Sequence, residues 1–206
     1  MSVTDTPPCS ALVLAGGASR RFGSDKLNAT IAGRTLLEHA LASVRALTPD
    51  VILVGREHPG VTWFVEPAVG SGPLNAICHG LERTRHEAVI VIAGDQPAVA
   101  PRLLAFLVTE LGGADAVVAL DHSDRPQPLL AVYRRGLADA MGNAVAAGER
   151  SISRFLETVD THWVTPESWE PLDPAGRSFH DVDTPDDLAR HRGDRSGSAS
   201  GNGSPG

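Results

Sequence analysis

Ala11-Leu12-Val13-Leu14-Ala15-Gly16-Gly17-Ala18-Ser19-Arg20-Arg21-Phe22-Gly23-Ser24-Asp25-Lys26 decides how the rest of the chain is read. Its first part is short, apolar and runs into a glycine pair, which predicts a buried strand of a parallel sheet over residues 10–15. The remainder predicts a loop at the carboxyl end of that strand, where open α/β sheets take their ligands. Glycines let backbone N–H groups approach an anion closely, and Arg20, Arg21 and Lys26 add cations. Lysine meets phosphate as a point charge and arginine as a bidentate fork. The spacing matches neither Gly-x-Gly-x-x-Gly nor a loop closing in Gly-Lys-Ser/Thr. A polyphosphate grip of another kind is expected.

Working outward, the 206 residues are 42% hydrophobic and 21% charged, which suits one globular domain with its own core. Only 4% are aromatic, so that core must be aliphatic. A net charge of -7 argues against nucleic acid as a partner, so the cations near residue 20 are a local feature suited to a small anionic substrate. Cys9 and Cys78 show no metal-ligand spacing, and two thiols suggest a reducing, cytoplasmic setting. Residues 1–8 carry Asp5 and lack the apolar run of a signal peptide. No stretch has the apolar length of a membrane span, so a membrane is not expected as a partner. Residues 1–9 are expected to be a disordered lead-in, 10–192 the folded domain, and 193–206 a disordered Gly/Ser-rich tail.

Within the domain, periodicity predicts strands at 51–54, 62–65, 88–93, 115–120, 128–132, 162–164 and 179–182. Helices are expected at 34–47, 74–84, 101–111, 135–146 and 151–157, with 166–177 a loop. Thr184, with Pro185 at the first helical position and Asp187 at the third, opens a closing helix. The alternation predicts an α/β fold, a mostly parallel sheet with helices on both faces.

Three acidic sites stand out. Asp95 follows the most buried strand, on the same sheet edge as the glycine loop, and is placed to hold Mg²⁺ against phosphate oxygens. A turn aspartate before a proline is an equally ordinary reading of that position alone. Asp181 and Asp183, alternate residues of the last predicted strand, share a face and could supply a second metal ligand or bind a substrate. Glu66 ends a strand before Gly70-Ser71-Gly72-Pro73 and could accept from the N–H edge of guanine, although a solvated loop acid explains it as well. The histidines form no helix pair for zinc, and Ser19, Ser71 and Cys78 lack the context of a covalent nucleophile.

The glycine stretch, Gly72-Pro73-Leu74, Gly94-Asp95-Gln96-Pro97, Gln127-Pro128-Leu129 and Asp183-Thr184-Pro185-Asp186-Asp187-Leu188 occur in an order that resembles the MobA-like nucleotidyltransferases, over residues 10–190. The resemblance implies a Rossmann-like nucleotidyltransferase fold, a three-layer α/β/α domain spanning 10–192. It implies an enzyme that transfers GMP from MgGTP to molybdopterin, the molybdenum cofactor, and releases pyrophosphate. Cofactor-insertion or acceptor proteins would be further partners. Carried over by motif, Leu14, Ala15, Gly16, Gly17, Lys26, Glu66, Gly72 and Asp95 would bind the nucleotide. Arg21, Lys26 and Asp95 would act at the phosphates, Asp95 would hold Mg²⁺, and Asp183 is the second candidate ligand. Gln127, Pro128, Asp181 and Asp183 would face the acceptor. The chain departs from the guanylyl branch, which usually has Asn where Asp181 and Asp183 stand. Two other readings stay open: a relative using CTP or another phosphorylated acceptor, and a nucleotide-binding protein without turnover.

Overall fold

The computed structural model describes residues 6–16, 25–65, 72–184 and 187–189. The expected tail, and residues 1–5 of the expected lead-in, lie outside the described residues; residues 6–8 form no helix or strand, and Cys9, expected in the lead-in, instead opens the first strand, where it is buried. The opening apolar run forms β1, Cys9–Leu14, and its residues are nearly all buried. It pairs in parallel with β4, Val51–Val54, on one side and with β6, Ala88–Ala93, on the other. The seven-stranded sheet has the order β5-β4-β1-β6-β8-β7-β9, where β5 is Thr62–Phe64, β7 Ala116–Leu120, β8 Pro126–Arg134 and β9 Thr161–Val164. From β1 the chain first builds outward to β4 and β5, then returns across β1 to place β6. The order reverses between β1 and β6, and crevices at such points receive ligands.

Side chains alternate strictly between two cores. Ala11, Val13, Leu53, Ile90 and Ile92 point to one face, under α1 (Leu36–Arg45) and α3 (Pro101–Glu110). Leu12, Ile52, Val89 and Val91 point to the other, under α2 (Pro73–Leu81), α4 (Ala138–Ala146) and α5 (Ile152–Leu156). Both faces of the sheet are thus covered, which is why its central strands read as unbroken apolar runs. Each fully buried Leu or Ile contributes roughly 1.5–3 kcal/mol, so the central strands are the firmest part of the frame. Thr35 caps α1 in a reciprocal capping box with Glu38. Among the described residues no helix is long and apolar enough to cross a membrane.

Strand β8 runs against its neighbours β6 and β7, and the sheet is mostly parallel, as the alternation predicts. The structure corrects the expected elements in three places. A two-stranded hairpin, β2 (Thr30–Ile31) with β3 (Arg34–Thr35), precedes α1 where only the start of a helix was expected. The expected loop over 166–177 contains a one-turn helix, α6 (Pro166–Trp169), whose Trp169 is fully buried. Residues 179–182 are not a strand: a 3₁₀ turn, Arg177–Phe179, leads into irregular backbone. Phe179 packs on one apolar cluster and Val182 is buried in another, so their spacing reflects two separate anchorages.

Candidate active site

The end of β1 and the end of β6 lie side by side. The Gly94 N–H donates to the Leu14 carbonyl at 2.8 Å, and Ala15 N–H donates to the Val54 carbonyl. Leu14, Ala15 and Gly16, the start of the glycine loop, therefore sit directly beside Gly94-Asp95, with Gly16 exposed. Gly55 is pressed against this turn. It has φ +102°, and a Cβ there would stand 2.6 Å from the Gly16 backbone. Only glycine satisfies both conditions.

Asp25 and Lys26 stand at the same site. Asp25 caps the 3₁₀ turn Lys26–Asn28 by accepting from the Leu27 N–H. Arg56, just past β4, grips both Asp25 oxygens, at 3.0 and 2.5 Å. That grip is what holds the Asp25 carboxyl below its ordinary range: the hydrogen bond from Arg56 outweighs the partial burial that opposes it. With Asp25 tied down, the Lys26 side chain reaches into the crevice. Its ammonium lies 2.5 Å from Asp95 Oδ2 and 2.8 Å from Asp183 Oδ1. Burial works against the charge of Lys26, but hydrogen bonds and attraction from Asp183 and Asp95 outweigh it and hold the ammonium above its ordinary value.

The acidic wall is built by two segments. The Val182 N–H donates to the Asp95 carbonyl, which docks residues 181–184 against the β6 loop. Beyond it, Asp187 accepts from the Asp183 and Thr184 N–H groups and from the Thr184 hydroxyl, and its own N–H donates to Thr184 Oγ1. This is the reciprocal cap expected from the sequence, with Pro185 outside the described residues. Buried Gln96 accepts from the Ala93 N–H and hydrogen-bonds the Asp181 carboxylate. Although solvent reaches Asp181, the protein around it and the neighbouring Asp95 charge push its carboxyl up to about 6.

On the acceptor side, Gln127 and Pro128 open β8, which runs against β6 and so begins at the same edge. The register slips between Val118 and Ala119, where Ala119 pairs with Gln127. Such bulges re-aim side chains beside active sites. Gln127 donates its amide to Asp121 at 3.0 Å, and the Pro128 carbonyl accepts from the buried Tyr133 hydroxyl. Gly72 caps α2 with φ +96°, beside the Arg150 carbonyl.

Of the residues singled out from sequence, Leu14, Ala15, Gly16, Lys26, Asp95, Asp181 and Asp183 gather at one crevice. Gln127, Pro128 and Gly72 belong to elements that open at the same sheet edge. Gly17, Arg21 and Glu66 lie outside the described residues. The roles of Arg56, Gly55 and Gln96 escaped the sequence reading, since each acts through a partner on another segment. The carboxylates of Asp95, Asp181 and Asp183 are hard oxygen donors, which fits a hard divalent ion, while the Lys26 ammonium is paired with two of them. Among the described residues no three such side chains alone enclose an ion. An ion held there would keep coordination positions for water and phosphate oxygens, the habit of Mg²⁺.

The model of the MobA-like NTP transferase domain matches residues 11–163. A probable molybdenum cofactor guanylyltransferase of Chloroflexus aggregans is 36% identical over 193 residues, which cover 87% of this chain and 91% of the relative. A molybdenum cofactor guanylyltransferase of Pseudomonas fluorescens is 34% identical over 200 residues, 92% of this chain and 96% of the relative. Among solved structures, the molybdopterin-guanine dinucleotide biosynthesis protein A of Archaeoglobus fulgidus superposes with a TM-score of 0.78 at 28% identity, covering 91% of this chain and 99% of its own.

Proposed function

The chain belongs to the MobA-like NTP transferase family and is a nucleotidyltransferase; from that premise we propose that it transfers GMP from magnesium-bound GTP to molybdopterin, forming the guanine dinucleotide cofactor and releasing pyrophosphate. The observation that carries this reading is the Lys26 ammonium joining Asp95 to Asp183 beside the Gly16 turn, at the point where the strand order reverses. The names of the relatives and of the Archaeoglobus neighbour support the guanine and molybdopterin parts of it.

The reaction is an in-line displacement. An oxygen of the acceptor's terminal phosphate attacks the α-phosphorus, a new P–O bond forms, and the bond to the β-phosphate bridging oxygen breaks. The attacking oxygen is already anionic, so no general base is needed, and catalysis rests on positioning and charge. The backbone from Leu14 to Gly17 and the start of α2 at Gly72 hold the nucleotide. Lys26, together with Arg21, offsets the charge that builds on the leaving pyrophosphate. Glu66 accepts from guanine. Asp95 holds Mg²⁺, with Asp183 as the second candidate ligand. When bound, the ion supplies neutralisation of phosphate charge. Gln127, Pro128, Asp181 and Asp183 face the acceptor.

Pyrophosphate release is measured with GTP or CTP, and with molybdopterin present or left out. The reading expects release with GTP and molybdopterin together. Asp95→Asn should lower it about a hundredfold or more while circular dichroism stays unchanged. A near-normal rate in that variant removes Asp95 from the metal site. Turnover with CTP alone moves the base assignment. MgGTP binding without release across phosphorylated acceptors leaves a silent nucleotide binder.

A further inference from the structure

Lys26 is a compact single charge set between two carboxylates, with 17% of its side chain exposed. It already neutralises the donors assigned to the metal. A divalent ion arriving by itself would have to share Asp95 with that ammonium or drive it away. Two like charges a few ångströms apart in a partly buried site repel strongly, and a double charge repels more than a single one. Mg²⁺ also dehydrates reluctantly and gains little from one or two carboxylates. The displaced ammonium has no ready refuge in Asp25, because Arg56 holds both of its oxygens. A nucleoside triphosphate changes the balance, since its phosphate oxygens can serve the ion and the ammonium together.

Resting on the magnesium-nucleotide reading above, we propose that Lys26 is a resident counter-cation that keeps Asp95 closed to free divalent metal and yields it only when the metal arrives with a triphosphate. The same exchange frees Asp183. The acceptor-side carboxylate, 157 residues away in sequence from Lys26, is thus unlatched only after the nucleotide has entered.

Mn²⁺ uptake by the full chain tests this, read from the relaxation enhancement of water protons by protein-held ion. Titrations are made alone and with guanosine α,β-methylene triphosphate, on wild type, Lys26→Met, Lys26→Arg and Asp95→Asn. Wild type should bind Mn²⁺ at least about tenfold more tightly with the analogue than without it. Lys26→Met should bind Mn²⁺ alone at least about tenfold more tightly than wild type, and Lys26→Arg should keep the wild-type exclusion. Equal uptake of Mn²⁺ alone by wild type and Lys26→Met overturns the proposal, as does equal uptake by wild type with and without the analogue. The wild-type pair decides even if Lys26→Met does not fold. Failure of the underlying reading looks different: uptake with the analogue that Asp95→Asn leaves untouched.

Discussion

Asp95 and Lys26 carry readable chemistry at the residue scale, because each lies next to a motif that ends a strand. Their partners are another matter. Nothing near Asp25 in the sequence points to Arg56, yet that guanidinium orients the turn from which Lys26 reaches. Gln96 could be read as part of a turn, whereas it binds the end of β6 and the Asp181 carboxylate together. Asp181 gives a titration with a definite sign. Its carboxyl ionises near 3.8 in an unfolded chain and at about 6 in the folded one. Between those values the folded state keeps a proton that the unfolded state has released, so stability falls as pH rises through the window and stays lowered above it. Asp181→Asn should abolish this fall. The variant should melt above wild type near neutral pH and level with it in acid below the window. Thermal unfolding followed across that range checks it, and parallel curves for the two proteins would remove Asp181 as the source.

Secondary elements follow the apolar pattern of the chain in the central strands and at the capped helix starts. The strand Ala88–Ala93 occupies the residues its apolar run predicts, and Thr35, Ser151 and Thr184 act at the helix starts. The error at 179–182 has a physical cause. The Val182 N–H pairs with a loop carbonyl at Asp95 rather than with a strand, so an extended-looking pattern forms no ladder. Turns test the same point through glycine. Gly33 has φ +80° with nothing within 4 Å of its missing Cβ, while Gly55 has φ +102° and faces the Gly16 backbone at 2.6 Å. Gly33→Ala should cost only the left-handed backbone penalty, about 1–2 kcal/mol. Gly55→Ala adds a clash with main chain that cannot swing aside, and should cost about 3 kcal/mol or more. It should also weaken nucleotide binding, since the Gly16 turn must move. Urea unfolding and a nucleotide titration on both variants check the contrast.

Across the whole molecule, residues 165–184 form a strap that runs from the β9 edge back to the crevice. Trp169 anchors it, donating its indole N–H to the Leu120 carbonyl and packing on Phe179 and His122. Ser178, fully buried, accepts from the Ala100 N–H, and Val182 completes the path at Asp95. The strap is what delivers Asp183 to Lys26. Trp169→Ala should cost about 3–5 kcal/mol of stability, as large-to-small changes in closed cores do. It should also impair the site some distance away, which unfolding in urea and nucleotide affinity on the folded variant measure together. Normal affinity in a folded, destabilised variant would show that the strap holds its place without this anchor.

The sequence by itself determined the central strands and the place of Asp95 just past the end of β6, because burial of apolar runs acts over a few residues. The position of Asp95 beside the Gly16 turn follows from that local order once the sheet is parallel at β1 and β6. Only the tertiary structure decided the direction of β8, the course of the strap and the pairings of Lys26 with Asp183 and of Asp25 with Arg56. Those depend on which distant charges the closed chain brings within a few ångströms, and no local pattern encodes that distance.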